Sequence, residues 1–312
     1  MTRIIIDCDP GHDDMMAIML ASASDKIDLL GVTTVAGNQT GDKTFENALR
    51  ILTLIKEEIP VARGADKPLL RELVTAPEFH GQSGLDGAEL PEPGIKPLHI
   101  DAVDFIIDML EESLEKIVLV PTGPLTNIAM VLLKNPDIKH KIERIVLMGG
   151  GMHDSNVTPA AEFNIYVDPE AAKIVFGSGV PITMVGLDVT NRALMSFEEI
   201  EGIVADNGVI SSKVGPLLKF FANANKKIFG LNGAPIHDAL AVAAVIDPTV
   251  VETKFLNVQV EVSSELTRGA TVVDIYGATS NSPNVDVALE VDTPKFVHFM
   301  VDSIRKLDKK FA

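Results

Sequence analysis

Four aspartates lie within eight residues near the start of the chain: Asp7, Asp9, Asp13 and Asp14. Like charges this close repel one another unless some are protonated or a cation lies among them. A solvated strand end or a helix start would explain any one of these aspartates, but explains four together less well. Carboxylate oxygens are the ligands that hard divalent cations prefer. The spacing therefore favours a site for such a cation.

The local pattern predicts how these aspartates are positioned. The apolar run at residues 4–6 is typical of a buried parallel strand, and the Pro-Gly pair after it ends the strand before a helical pattern begins. Alternation along the strand places Asp7 and Asp9 on one face. Asp13 and Asp14 fall in the first helical turn, where free backbone N–H groups favour anions.

Strand and helix patterns then alternate five times with short turns. This alternation predicts an α/β fold with a mostly parallel, doubly wound (Rossmann-like) central sheet flanked by helices. Ligands of such sheets bind outside the carboxyl ends of the strands, where the pattern places Asp9, Asn38, Thr122, Met148 and Asp188. Period-2 alternation after residue 250 predicts a small C-terminal antiparallel extension. No linker is visible, so we expect residues 1–312 to form a single domain.

The composition excludes several classes of partner. The 312 residues are 46% apolar and carry a formal charge of −17, from 27 basic and 44 acidic residues. Nucleic acid and anionic membrane surfaces repel such a chain, so we expect neither as a partner. We expect no signal segment and no membrane span. The lone cysteine, Cys8, is expected to be a buried core residue and indicates the reducing cytoplasm.

Further polar residues occur in the predicted loops and at helix starts. Asn38 could be a turn former, Asp238 a helix-terminus anion, and His80 an exposed residue of the long Gly-rich loop at 67–98. Together with Asn156, Glu162, Asn164 and His237, they supply carboxylates, amides and imidazoles. That combination suits a polyhydroxylated ligand held on a metal ion.

The sequence resembles the inosine–uridine preferring nucleoside hydrolases, a family that cleaves N-ribosidic bonds with bound Ca²⁺. The resemblance extends to about residue 250 in the family's order and spacing. The matching segments are DCDPGHDD (7–14), VAGNQT (35–40), VPTGPLTN (120–127), VLMGG (146–150), AEFN (161–164) and PIHD (235–238).

The resemblance implies a role for each matching residue. The Ca²⁺ ligands would be Asp9, both carboxylate oxygens of Asp14, Asp238 and the backbone carbonyl of Thr122. A cage of protein oxygens is typical of calcium, whereas Mg²⁺ keeps more of its water. Asp9 would also be the general base that takes a proton from a calcium-bound water, and Asp7 would orient its neighbours. The residues implied at the ribose are Asp13, Asn38, Met148, Asn156, Glu162, Asn164 and Asp238.

The base would meet His80, Asn225, Phe229 and His237. His237 is the candidate acid for a purine leaving group, and it would only position a pyrimidine. His12 resembles the pyrimidine-preferring branch. That branch usually carries Gln and Tyr where this chain has Asn225 and Phe229, and Phe229 can stack without a phenol hydrogen bond. We expect uridine and cytidine to be preferred, with inosine also accepted, and the family implies a homo-oligomer, a tetramer or dimer.

Two other readings are open at the level of sequence. A Mg²⁺ phosphohydrolase of the haloacid-dehalogenase type also opens with a strand ending in Asp-x-Asp. That type carries Thr or Val where this chain has Gly11, and it has no use for Asp13 and Asp14. A non-catalytic, calcium-dependent nucleoside-binding protein would lack a catalytic residue, but Asp9 and Asp238 are both present.

Overall fold

The computed structural model describes residues 1–311 and confirms the predicted α/β architecture. The strands are β1 (Thr2–Cys8), β2 (Ile27–Thr34), β3 (Val61–Arg63), β4 (Ile117–Pro121), β5 (Ile142–Met148), β6 (Ile182–Val185), β7 (Leu194–Ser196), β8 (Gly233–Pro235), β9 (Val251–Val260), β10 (Thr271–Asp274) and β11 (Val285–Val291). The helices are α1 (His12–Ala23), α2 (Gly41–Leu54), α3 (Pro77–His80), α4 (Ala102–Glu112), α5 (Thr126–Lys134), α6 (Phe163–Val167), α7 (Pro169–Phe176), α8 (Leu187–Thr190), α9 (Phe197–Asp206), α10 (Ser211–Phe229), α11 (His237–Ile246) and α12 (Thr293–Lys309). Two short 3-10 helices cover Pro136–Lys141 and Pro248–Val250.

Nine strands form one sheet in the order β10-β9-β11-β6-β5-β4-β1-β2-β3. Strand β9 pairs antiparallel with both β10 and β11, whereas β11 lies parallel to β6. The predicted C-terminal extension is therefore continuous with the main sheet. A separate two-stranded ribbon, β7 with β8, was not predicted, because each of its strands has only three residues.

The strand order reverses beside β1. Strand β1 pairs in parallel with β2 on one side and with β4 on the other. The chain builds β2 and β3 outward in one direction and then crosses over to build β4, β5 and β6 in the other. A crevice opens at such a reversal, outside the carboxyl ends of the strands. Asp9 follows β1 and Thr122 follows β4 at this point.

Apolar side chains pack on both faces of the sheet, in two clusters. One cluster joins α1, α2 and the helices α9 to α12 to the sheet, and the other joins α4, α5 and α7. Helix α1 is buried on all sides from His12 to Ala21. After its first turn the helix is apolar on every side as far as Ala21, as expected in the interior, and its packing holds the first-turn aspartates in place. Cys8 is a buried free thiol, as expected.

Two regions near the crevice depart from regular structure. The segment predicted as irregular, 67–98, contains one helical turn, α3. The strand predicted to run through Asp188 ends instead at Val185, because a turn at Gly186 starts α8. Within residues 1–311, none of the helices combines the length and apolar character that crossing a bilayer requires.

Candidate active site

A cavity of about 270 Å³ opens at the carboxyl ends of β1 and β4. Most of the predicted site residues line it, from both halves of the sheet and from the loops. They are Asp13, Asn38, His80, Thr122, Met148, Asn156, Glu162, Asn164, Asn225, Phe229, His237 and Asp238. Of the other four, Asp7, Asp9 and Asp14 are almost completely buried, and Asp188 lies outside the cavity.

Three carboxylates meet at the cavity floor. Oxygens of Asp13, Asp14 and Asp238 all lie within 4.8 Å of one another. Two come from the first turn of α1 and the third from the first turn of α11, so two helix N-termini converge on them. Burial, with repulsion from Asp14, raises the pKa of Asp13 to about 8, and burial also raises the pKa values of Asp14 and Asp238. Within residues 1–311 these carboxylates form no ion pair with a lysine or arginine.

Asp9 lies close to two glycine turns. Its Oδ2 accepts a 2.7 Å hydrogen bond from the Asn38 backbone N–H, and its Oδ1 is buried without a partner in residues 1–311. A Cβ at Gly37 would stand 2.1 Å from Oδ2, and one at Gly123 would stand 2.7 Å from Oδ1. Glycine at both positions therefore admits the carboxylate. Burial and the charge of Asp14 raise the pKa of Asp9 well above its ordinary range.

Asp14 ties the start of α1 to the neighbouring strand ends. Its Oδ1 accepts from Thr122 Oγ1 at 2.8 Å, and its Oδ2 accepts from the Gly11 backbone N–H at 3.0 Å. Asn38 Nδ2 also donates to Oδ2, at 3.3 Å. The Thr122 carbonyl accepts from Asn164 Nδ2 at 2.7 Å. A carbonyl oxygen has two lone pairs, so this one retains a second for another partner.

Asp7 links β1 to β2, to α5 and to the residue that follows β4. Its Oδ1 accepts from Thr33 Oγ1 at 2.6 Å and from Asn127 Nδ2 at 2.8 Å. Its backbone carbonyl accepts from the Thr122 N–H at 2.8 Å. Burial raises the pKa of Asp7 to about 7, and the hydrogen bonds from Thr33 and Asn127 oppose that rise. These contacts suit the orienting role predicted for Asp7, which stays a prediction.

The chemistry of this donor set fits a divalent cation. Buried Oδ1 atoms of Asp9 and Asp13 lack partners in the described residues, and an unpaired buried carboxylate oxygen is costly. The other candidate ligand atoms, on Asp14, Asp238 and the Thr122 carbonyl, are also oxygens, which Ca²⁺ and Mg²⁺ prefer as ligands. The cluster of three carboxylates includes Asp13, which was predicted at the ribose, and leaves out Asp9, which was predicted as a ligand. Asp13 is thus a further candidate ligand, and the individual assignments stay predictions.

The wall above the floor is held by backbone hydrogen bonds. Glu162 caps α6, with its carboxylate accepting from the N–H groups of Asn164 and Gly150, each at 2.8 Å. Burial raises the pKa of Glu162 to about 7, although these amides favour the ionised form. Asn156 Oδ1 accepts from the Phe163 N–H at 2.9 Å. Glu162 and Asn156, both predicted at the ribose hydroxyls, are therefore held in place by backbone N–H groups.

The opposite wall carries the imidazoles and aromatic rings. His237 Nδ1 lies 2.8 Å from Thr190 Oγ1, and burial lowers the pKa of His237 to about 4. The imidazole is therefore neutral at pH 7. Phe229 is 45% exposed at the end of α10 and stacks on Phe79 with ring centroids 5.4 Å apart.

Several apolar lining residues were not predicted from the sequence. They are Val74, Phe79, Val157, Phe163, Phe221 and Ile228. One of them had a usable signal: Phe221, Asn225 and Phe229 are spaced by four residues, which places them on one face of a helix. The loop residues carry no such periodicity.

The prediction that Asp188 belongs to this site was wrong. Asp188 does not line the cavity, because the early end of β6 places it on α8. Its carboxylate instead accepts from the backbone N–H groups of Met152 and His153, the latter at 2.8 Å. Asp188 therefore anchors the loop between β5 and α6.

The chain resembles known proteins along its whole length. Residues 4–298 match the family model described as inosine-uridine preferring nucleoside hydrolase. The pyrimidine-specific ribonucleoside hydrolase RihA of Shewanella baltica (strain OS185) is 51% identical over 314 residues, covering 100% of this chain and 99% of the relative. RihA of Escherichia coli O9:H4 (strain HS) is 49% identical over 304 residues, covering 97% and 98%.

A solved structure is also similar to this chain. The purine-preferring ribonucleoside hydrolase from Gardnerella vaginalis has a TM-score of 0.93 and is 36% identical, covering 99% of this chain and 100% of that one. The phosphohydrolase and non-catalytic readings of the sequence gain no support from these matches. The chain belongs to the inosine-uridine preferring nucleoside hydrolase family and is a ribonucleoside N-glycosidase.

Proposed function

We propose that the protein hydrolyses the N-glycosidic bond of pyrimidine ribonucleosides, uridine and cytidine, in a Ca²⁺-dependent reaction that releases base and ribose. The observation that carries the proposal is the buried cluster of Asp13, Asp14 and Asp238 at the floor of a cavity with amide, carboxylate and aromatic walls. The pyrimidine preference is supported by the names of relatives about half identical in sequence. The purine-preferring structure is a more distant relative, at 36% identity.

The proposed calcium ligands are Asp9, Asp14, Asp238 and the backbone carbonyl of Thr122. Calcium is favoured over magnesium because these donors are buried and come from the protein itself, whereas Mg²⁺ usually keeps several of its waters. An ion held there supplies positive charge that offsets the carboxylates and lowers the pKa of a water molecule.

Asp9 acts as the general base in this proposal. Its Oδ1 lacks a protein partner in residues 1–311, whereas its Oδ2 is held by the Asn38 N–H, so one oxygen is oriented and the other can accept a proton. The proton comes from the water that attacks the anomeric carbon on the face opposite the departing base. A positioned base of this kind contributes a factor of roughly 10²–10⁴ to the rate.

The ribose is held by the fixed wall and floor. The residues proposed for its hydroxyls are Asp13, Asn38, Met148, Asn156, Glu162, Asn164 and Asp238. Departure of the base leaves positive charge on the sugar, as in other glycosidases. Carboxylates beside the sugar stabilise that charge, and Glu162 and Asn164 need no rearrangement because backbone groups already orient them.

His237 is proposed to assist the base. Burial lowers the pKa of His237 to about 4, and the neutral imidazole can donate a hydrogen bond to the base. Thr190 Oγ1 can donate to Nδ1, which leaves a proton on Nε2 for the base. His80, Asn225 and Phe229 are proposed to contact the base as well. Losses in kcat for His237→Ala, measured separately on uridine and inosine, decide the role: a larger loss on inosine supports proton donation, and equal small losses support positioning alone.

Steady-state kinetics test the function directly. Release of free base and of reducing sugar is measured for uridine, cytidine, inosine and adenosine, with metal-stripped protein and after Ca²⁺ is restored. We expect the highest kcat/KM on uridine and cytidine, restored by Ca²⁺. Equal or higher kcat/KM on the purine nucleosides would contradict the preference, and full activity without metal would contradict the calcium requirement. An aryl phosphate serves as the negative control.

Two properties of the whole protein are also proposed. A cytoplasmic location is supported by the single cysteine, Cys8, which is a buried free thiol. A homo-oligomer, a tetramer or dimer, rests on the family alone and is tested by light scattering coupled to size-exclusion chromatography.

A further inference from the structure

His12 and His80 form a buried pair beside the cavity. His80 lines the cavity, whereas His12 lies behind it and is completely buried. Their Nδ1 atoms are 3.2 Å apart, and their ring centroids are 5.4 Å apart. A Cβ at Gly11 would stand 2.5 Å from His80 Nδ1, so glycine there permits the approach. None of the roles assigned above involves His12.

The hydrogen-bond partner of His12 Nε2 determines which ring nitrogen of His12 carries the proton. His12 Nε2 lies 2.8 Å from the backbone carbonyl oxygen of Asp86, and a carbonyl oxygen only accepts. Nε2 therefore carries hydrogen. The rings of Phe220 and Phe221 stack on His12, and a neutral imidazole carries its one ring proton on a single nitrogen. His12 Nδ1 is then a bare acceptor.

The unprotonated Nδ1 of His12 influences which ring nitrogen of His80 carries the proton. If His80 Nδ1 were also bare, two lone pairs would face each other at 3.2 Å. If it carries the proton, the same contact becomes a hydrogen bond to His12. One competitor exists: the backbone N–H of His12 is directed at His80 Nδ1 over 3.3 Å and donates to it if that nitrogen is bare. The ring–ring contact is the shorter, and an amide in a first helical turn has no intrahelical partner in any case.

We propose that His12 holds His80 in the tautomer protonated on Nδ1, so that His80 Nε2 faces the cavity as an acceptor for an N–H group of the base. Such groups are N3–H of uracil and the 4-amino group of cytosine. Nε2 has no hydrogen-bond partner in residues 1–311. His12 is a positioning residue, because it sets the hydrogen-bond polarity of His80 without touching the base. The inference rests on the proposed function for the identity of that base.

Replacement of the His12 side chain should invert this polarity. In His12→Leu the backbone N–H is the remaining partner of His80 Nδ1, so Nδ1 accepts and the proton moves to Nε2. His80 then presents a donor to the cavity, which opposes an N–H group of the base. In His12→Asn the side-chain oxygen stands near the place of Nδ1 and keeps the acceptor for His80. The asparagine variant is therefore the matched control for the loss of the imidazole.

Nitrogen-15 NMR of histidine-labelled protein reads the tautomer without substrate. Wild type and His12→Asn should show His80 protonated on Nδ1 with a bare Nε2, and His12→Leu should show the reverse. His80→Gln assigns the signal. A wild-type His80 protonated on Nε2 would overturn the proposal even if neither variant folded.

Kinetics on uridine and 3-methyluridine then test the consequence for the base. The ratio of the two kcat/KM values should be at least about tenfold larger in wild type and His12→Asn than in His12→Leu, the worth of about one hydrogen bond. The steric effect of the methyl group is common to all three proteins and cancels in this comparison. Equal ratios would overturn the role of His12. A wild type that hydrolyses no nucleoside contradicts the proposed function instead, and the NMR result still decides the tautomer.

Discussion

Thr122 Oγ1 donates a 2.8 Å hydrogen bond to Asp14 Oδ1 and joins the end of β4 to the first turn of α1. The two residues are 108 positions apart in the chain. They meet because β1 and β4 are parallel neighbours at the point where the strand order reverses. This hydrogen bond therefore links the two halves of the sheet at the floor of the cavity.

Loss of this link should weaken metal binding more than catalysis. Thr122→Val keeps the shape and the backbone carbonyl but removes the hydroxyl that orients Asp14. We expect the Kd for Ca²⁺, measured by titration calorimetry on metal-stripped protein, to rise about tenfold. At saturating Ca²⁺, kcat should stay within about threefold of wild type. An unchanged Kd would mean that Asp14 is oriented without Thr122.

The Gly37 backbone lies so close to the Asp9 carboxylate that a side chain at position 37 should reduce activity. A Cβ at Gly37 would stand 2.1 Å from Asp9 Oδ2, so Gly37→Ala must displace the carboxylate or the turn. A displacement of about 1 Å can cost on the order of 100-fold in rate, and we expect a loss of that size in kcat. Gly202→Ala is the control, because a Cβ there meets nothing within 4 Å. Similar kcat values for both variants would show that the Gly37 turn is not needed to place Asp9.

Metal binding should stabilise the fold more at high pH. Burial raises the pKa of Asp13 to about 8 and that of Asp7 to about 7, from ordinary values of 3.8. The metal-free folded state therefore holds protons more tightly than the unfolded state, and this contribution to stability is lost as pH rises from about 4 to about 8. The positive charge of a cation bound beside these carboxylates favours their ionised form and so displaces the protons. We expect the Tm of metal-stripped protein to rise more on addition of Ca²⁺ at pH 8 than at pH 5, and equal shifts would contradict this.

Asp188 should affect substrate binding through the loop that it anchors. Asp188→Ala removes the acceptor for the N–H groups of Met152 and His153, and the same loop carries Asn156. We expect KM for uridine to rise about fivefold, with kcat within about twofold and unchanged Ca²⁺ affinity. Asp66→Ala, an exposed carboxylate outside the cavity, is the control. A loss of Ca²⁺ affinity would contradict this and would indicate that Asp188 contributes to the metal site.

The floor of the cavity could be predicted from the sequence, whereas much of its aromatic wall could not. Asp13 and Asp14 directly follow a strand–turn pattern, and Asp238 starts an obvious helix, so local pattern and family motif were enough. Phe79 lies on an irregular loop whose path depends on tertiary packing. The same limit applied to Asp188, because a single Gly186 turn ended the strand earlier than its apolar pattern indicated.

The order of strands was equally beyond local pattern. Alternation predicted that β9, β10 and β11 exist, but nothing in their residues states that β11 pairs in parallel with β6. Pairing depends on which edges are free once the central strands have assembled. The contact between His12 and His80, 68 residues apart, has the same origin.

Asp9→Asn tests the central claim most directly. The substitution keeps the size of the side chain and its contact with the Asn38 N–H, but it removes the capacity to accept a proton. With uridine at saturating Ca²⁺, we predict that kcat falls by about 10³-fold or more, while the circular dichroism spectrum is unchanged and Ca²⁺ still raises the Tm. A kcat within about tenfold of wild type would contradict the assignment of Asp9 as the general base.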